Sequence, residues 1–281
     1  MRFERIIDQQ QREQMLELLA EGFPHSDIDW PAAFDAPAGD TGHGLLLMAD
    51  GGAQGGILSF EKQGVTGGRQ RRVVNLSSWY IRPPYRRFAV RMLREVAADP
   101  DTVYMACSPI RSAQKICLRT GFRYLSHGSI ASVPLLNGTI SRGVRSIEPF
   151  VRGALSNPDH DRWMADHGEE RHIGVLIRTD EGTVPVLWLR HLKLYGLSAA
   201  RLLFATDYGA LGAALPAIHW YMLSRHGISG LYLPRIGPLA RLQSVRRYHS
   251  GPSLMVKGEV DPEGIDLLYS ELLYLHARKR S

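Results

Sequence analysis

Only two cysteines, Cys107 and Cys117, occur in the 281 residues. Neither their number nor their spacing suits a disulfide framework or a zinc site, so no metal is expected and a reducing cytoplasm fits best. No apolar run approaches the ~18–20 residues needed to cross a bilayer. The first residues, MRFERIIDQQQREQ, lack the apolar centre of a signal peptide. The expectation is a cytoplasmic chain with no membrane partner. There is no P-loop, no GxSxG elbow, no dinucleotide fingerprint and no zinc-finger spacing. His219 and His226 share a helix face, but no carboxylate or cysteine beside them completes a metal set. Acidic residues, finally, are missing from the whole stretch between Lys62 and Arg94.

What is present is ordinary in bulk and unusual in that stretch. A hydrophobic share of 44% and a charged share of 22% describe a globular protein with a sizeable core. The length allows two domains or one large one. The formal charge of +6 is concentrated where acids are missing, with Arg69, Arg71, Arg72, Arg82, Arg86, Arg87, Arg91 and Arg94 close together. Such a patch suits an anionic partner: a phosphorylated cofactor, a nucleic acid or an acidic polymer.

Patterning gives the element order. Arg2–Ile7 reads as a strand and Gln9–Phe23 as a helix with Leu16, Leu18, Leu19 and Phe23 on its apolar side. Pro24–Gly44 reads as a long loop or broken helix anchored by Trp30 and Phe34. Gly44–Ala49 and Gly55–Phe60 are strands joined by Asp50-Gly51-Gly52, a strong hairpin signal, and Gly67-Gly68 turns the chain into strand Arg71–Ile81. Helix Pro84–Ala98, strand Thr102–Cys107 and helix Pro109–Arg119 follow, the last stopped by Gly121. Leu135–Glu148 is polar enough for a junction. Beyond it the order recurs: strands His172–Arg178, Val184–Arg190 and Arg201–Ala205, helix Ala210–Arg225, strand Gly230–Leu233 and a terminal helix or mixed segment, Ile265–His276. This predicts an α/β (α+β) chain of two tandem domains, 1–145 and 150–281, with a single larger domain as the alternative.

The run from Val73 to Tyr124 is strand, Arg-rich turn, helix, strand, helix and a closing strand after Gly121-Phe122. It resembles the cofactor-binding half of the GCN5-related N-acetyltransferase (GNAT) family. The family's turn is Gln/Arg-x-x-Gly-x-Gly/Ala. The matching residues are Arg86-Arg87-Phe88-Ala89-Val90-Arg91, with Ala89 in place of the first glycine and Arg91 where a small residue is usual. The resemblance implies tandem mixed sheets flanked by helices. It also implies that acetyl-CoA or another acyl-CoA lays its pyrophosphate on this turn and its pantetheine beside Trp79, Tyr80 and Ile81. Ser108–Phe122 resembles the family's Asn-x-x-Ala…Tyr-x-x-x-Gly-Phe element. Cys117 then stands where a tyrosine protonates the departing thiolate, although a buried small residue also fits that place. For the base that deprotonates the attacking amine, the candidates are Glu61, at the end of the third strand, and His127, after the closing strand. In the second half, the turn Asp207-Tyr208-Gly209-Ala210-Leu211-Gly212 has no arginine, and Asp207 would repel phosphate.

The resemblance implies acyl transfer from acyl-CoA to an amine on a small molecule, a sugar or a protein. A non-catalytic binding module is the second possibility, favoured by the missing tyrosine and glycine. Transfer from a charged tRNA ranks lower, because the long helical arm of those transferases is absent. The sequence fixes neither the acceptor nor the oligomeric state.

Overall fold

In a computed structural model of the chain, strand β1 (Arg2–Arg5) leads through Asp8 into helix α1 (Gln9–Gly22). Asp8 Oδ1 accepts the Gln11 N–H at 2.8 Å, and Gln11 Oε1 accepts the Asp8 N–H at 3.1 Å, a reciprocal cap that holds the first turn. Met15, Leu18 and Leu19 form the buried stripe of α1. The structure describes residues 1–26, 28–36, 39, 42–66, 69–133, 143–166, 172–194, 197–241, 246–248, 253–260, 267, 268 and 270. Within the expected loop from Pro24, Trp30–Phe34 forms a 3-10 turn that buries Trp30 and Ala33, with Pro31 at its start.

Strands β2 (Gly44–Ala49) and β3 (Gly52–Thr66) form the expected hairpin. Asp50 (φ 51°) and Gly51 (φ 82°) are both left-handed, the geometry a two-residue turn needs to match strand twist. Strand β4 (Arg69–Ile81) runs antiparallel to β3; the Gly67-Gly68 turn lies outside the described residues. The helix expected over Pro84–Ala98 is divided. Pro83–Phe88 is a 3-10 segment and helix α2 covers Ala89–Val96. Two consecutive prolines supply no N–H groups to an α-helical ladder at that point. Strand β5 (Val103–Ala106) is wholly buried. Helix α3 (Arg111–Arg119) gives way at Gly121 (φ 91°) to strand β6 (Arg123–Ser126).

The second half contains β7 (Ser129–Ser132), β8 (Val144–Pro149), α4 (Pro158–Asp166), β9 (His172–Thr179), β10 (Thr183–Leu194) and β11 (Leu197–Ala205). Then come α5 (Tyr208–His226), β12 (Gly230–Pro234), β13 (Arg246–Tyr248) and β14 (Leu254–Lys257). Gly227 (φ 64°) ends α5, with Gly227 N–H on Leu223 O at 3.0 Å and Ile228 N–H on Met222 O at 3.1 Å. β7, β8, α4, β13 and β14 were not anticipated. The expected element Ile265–His276 falls, apart from Leu267, Leu268 and Ser270, outside the described residues.

These strands form two mixed sheets flanked by helices. One runs β1-β2-β3-β4-β5-β14-β6 and the other β13-β7-β12-β11-β10-β9-β8. The compact units are Met1–Leu125 with Pro252–Asp261 and Tyr269–Ser281, and Ser126–Gly251 with Pro262–Leu268. Their bounds differ from 1–145 and 150–281 because β7 pairs with β12 in the second sheet and β14 pairs with β5 in the first. In the first unit, alternation along β2 serves two cores. Leu45 and Leu47 join the cluster built with α2 and Cys117 of α3, while Leu46 joins the one built with α1 and Trp30.

Candidate functional site

The first unit's sheet forks. β4 pairs in parallel with β5 only from Val73 to Asn75, opposite Val103 to Met105, yet stays on β3 as far as Ile81. The ladder slips where Leu58 faces Ser77 and Gly56 faces Tyr80, so β4 has one extra residue there, and Ser78 takes φ 47°. A bulge of this kind re-aims a strand and ends its pairing. Beyond β3, no other described segment bonds the backbone of Ser78 or Trp79. Trp79 Nε1 is shielded from water and has no partner among the described residues. Asn75 and Cys107 sit at the crotch, where the Cys107 thiol donates to Asn75 Oδ1 at 2.9 Å.

The arginines along β4 and the turn beyond it divide into two classes. Arg71 is paired with Glu259, Arg72 with Asp99, and Arg82 with Glu21. Arg82 is further fixed by the Ala53 carbonyl at 3.1 Å and Gln54 Oε1 at 3.2 Å. Arg86, Arg87 and Arg91 have no carboxylate partner among the described residues. Arg86 Nε donates weakly to Ile81 O at 3.4 Å, Arg87 lies over the Phe88 ring at 5.0 Å, and Arg91 over the Phe3 ring at 5.6 Å. Aromatic faces hold a guanidinium in place and leave its charge intact. Helix α2 begins here with no side-chain cap, although the Ala89 N–H is already bonded to Arg86 O. The turn therefore concentrates positive charge, with the Asp50 carboxylate beside it accepting from the Tyr85 hydroxyl.

Of the predicted binding residues, Trp79, Tyr80, Ile81 and Arg86 to Arg91 follow one another along strand, turn and helix. Ile81, Ala89 and Cys117 are buried in one cluster, with Trp79 and Phe88 packed against it. Cys117 is 4% exposed, and this burial pushes its thiol up to about 11. Glu61, on β3 opposite Val74, is half-buried. A Cβ at Gly39 would collide with its carboxylate, so only glycine lets that loop lie so close. His127 is exposed and belongs to the second unit.

Sequence reading missed Glu21. On α1, its carboxylate accepts from Arg82 Nε at 2.8 Å and from the Tyr80 hydroxyl at 2.9 Å. Those hydrogen bonds, from Arg82 first and then Tyr80, hold Glu21 below the usual carboxylate range. Burial first, and then Glu21, raises Tyr80. A separation of 61 residues between Glu21 and Arg82 leaves no local pattern to read. Among the described residues, no group of three or more His, Cys, Asp or Glu could hold a metal, and no helix is long and apolar enough to cross a membrane.

No protein-family model matches the sequence, and no curated protein matches it. Solved structures do. A GCN5-related N-acetyltransferase from Anabaena variabilis is 16% identical over 91% of this chain and 72% of its own, with a TM-score of 0.61. A GCN5-related N-acetyltransferase from Kribbella flavida is 14% identical over 91% of this chain and 70% of its own, at 0.58. Eis1 from Mycobacterium abscessus is 12% identical over 92% and 73%, at 0.54. The chain has the fold of the GCN5-related N-acetyltransferases.

Proposed function

We propose that the chain is an acyl-CoA-dependent N-acyltransferase, with the donor held by the first unit and the second a degenerate copy of the same fold. The observation that carries this reading is the forked strand β4, whose open end leads straight to the unpaired Arg86, Arg87 and Arg91. Pantetheine carries two amides and can add to the β4 edge as a strand would, with Trp79, Tyr80 and Ile81 beside it. The pyrophosphate then meets Arg86 and Arg87 at the turn, where charge-assisted hydrogen bonds are strongest. Phe88, Ala89, Val90 and Arg91 complete that wall.

The reaction is direct attack. An amine on a small molecule, sugar or protein adds to the thioester carbonyl, the C–N bond forms and the C–S bond breaks. The Cys117 thiol gives its proton to the departing thiolate and recovers one from solvent. With its thiol at about 11, Cys117 stays protonated near neutral pH, so it is a donor and not a nucleophile. Glu61, on the same unit, takes the proton released by the ammonium as it becomes the amide nitrogen. Both cysteines are free and buried, in keeping with a cytoplasmic enzyme.

The burial of Cys117 favours a second reading, a module that binds acyl-CoA without turning it over. Both readings place the cofactor on the same turn. Titration calorimetry with acetyl-CoA should give binding that is weakened tenfold or more, about 1.4 kcal/mol, by the double replacement Arg86→Ala, Arg87→Ala. Equal affinity of the two proteins at low salt would sink both.

A further inference from the structure

The second unit repeats the fork and fills it. β11 lies on β10 as far as Ala205, opposite Val186, but its parallel pairing with β12 covers only Ala199 to Arg201, opposite Gly230 to Tyr232. The β10 ladder slips between Trp188, opposite Leu202, and Leu187, opposite Phe204, so Leu203 is the extra residue of a bulge. In the first unit the corresponding bulge lies at the open edge of β4. Here the Leu203 carbonyl accepts the backbone N–H of Leu267 at 2.7 Å. Leu203 is 1% exposed and Leu268 is fully buried, so water cannot take the place of that bond.

The start of the following helix is occupied too. Asp207 Oδ1 accepts the Ala210 N–H at 2.8 Å, capping α5 with a carboxylate where the first unit has an uncapped helix and unpaired arginines. An amide stands on the strand edge and an anion stands at the helix start, and both come from the chain itself. A pantetheine would have to displace the first, and a pyrophosphate would be repelled by the second.

We propose that β11 carries a second strand-addition site and that the Leu267–Leu268 segment is its permanent occupant, so that one acyl-CoA binds per chain. The stoichiometry rests on the function proposed above; the occupancy of the slot does not. Residue-resolved hydrogen exchange on the full chain without ligand tests the occupancy. The Leu267 amide should be protected on the order of 10³-fold or more, like the amides of a buried strand. Leu267→Pro removes the donor and should lower protection along β11 at least tenfold, leaving β2 to β4 unchanged. Calorimetry with acetyl-CoA should give one equivalent, lost in the Arg86→Ala, Arg87→Ala protein. Rapid exchange of Leu267, unchanged protection of β11 in the proline variant, or two bound equivalents would overturn the proposal. If the proline variant does not fold, exchange in the unaltered chain decides. If no acetyl-CoA binds, the donor assignment fails and Leu267 exchange still decides whether the slot is filled.

Discussion

Two strands, β4 and β11, leave their parallel neighbours in the same way, at a bulge, before a turn and a helix. They differ in what waits beyond the bulge. After β4 come Arg86, Arg87 and Arg91, without acidic partners among the described residues; after β11 comes Asp207, bonded into its own helix. The scaffold alone therefore does not mark a binding site. The charge at the turn and the state of the strand edge do, which is why fold likeness and function must be argued separately.

The largest expected effect lies in the first unit. If Cys117 is the acid, Cys117→Ala should lower a single-turnover acyl-transfer rate by ~10²–10⁴-fold while leaving acetyl-CoA affinity within about twofold. An unchanged rate would make the thiol a packing group and place the two units closer together in function. Cys117→Tyr, the family's usual residue, should keep turnover if the packed cluster admits the ring.

The next effect belongs to the second unit and concerns pH. His219 on α5 is fully buried, with its Nε2 2.7 Å from Ser132 Oγ, and desolvation lowers it to about 4. An unfolded histidine titrates near 6.5, so below that pH the unfolded chain binds the proton first. This contribution is fully present above about 6.5 and is lost as pH falls towards 4, in total about 3 kcal/mol. Denaturant unfolding monitored by exchange in each unit should show this loss in the second unit. A profile that is flat between pH 6.5 and 4.5 would break the assignment.

Much of the first unit was legible because its signals are local. Asp50-Gly51-Gly52 specifies a turn and Gly121 specifies a stop. From Trp79 to Arg91 the candidate site is nearly continuous in sequence, so strand end, turn and helix start could be read together. The rest depends on partners distant in the chain. Nothing near Arg82 announces Glu21, and nothing near Cys117 reports how deeply α3 buries it. β14 is a short apolar run, Leu254–Lys257, with no turn linking it to either neighbour, so its place between β5 and β6 could not be read. Leu267 matters through its N–H, which every residue but proline has.

The smallest effect sharpens the contrast at the helix starts. Asp207→Ala removes the cap of α5 and should cost about 1 kcal/mol of stability. It should leave acetyl-CoA affinity unchanged, because the donor is held by the first unit. A gain of a second binding equivalent on this change alone would mean that the aspartate, and not the strand plug, keeps ligand out. Denaturant unfolding and calorimetry on the same sample check both halves of the expectation.

The placement of β14 has a consequence for how the protein is made. A ribosome delivers residues 1–125 first, and at that moment β5 and β6 have no strand to lie between them. The first sheet can close only after residues 254–257 emerge, so the nascent chain carries an unpaired, buried-type strand edge while residues 127–253 are being made. Such edges are templates for mispairing. Truncation after residue 250 should therefore harm the N-terminal sheet, far away in sequence, and termination before β14 should yield aggregated protein and not a shortened, working one.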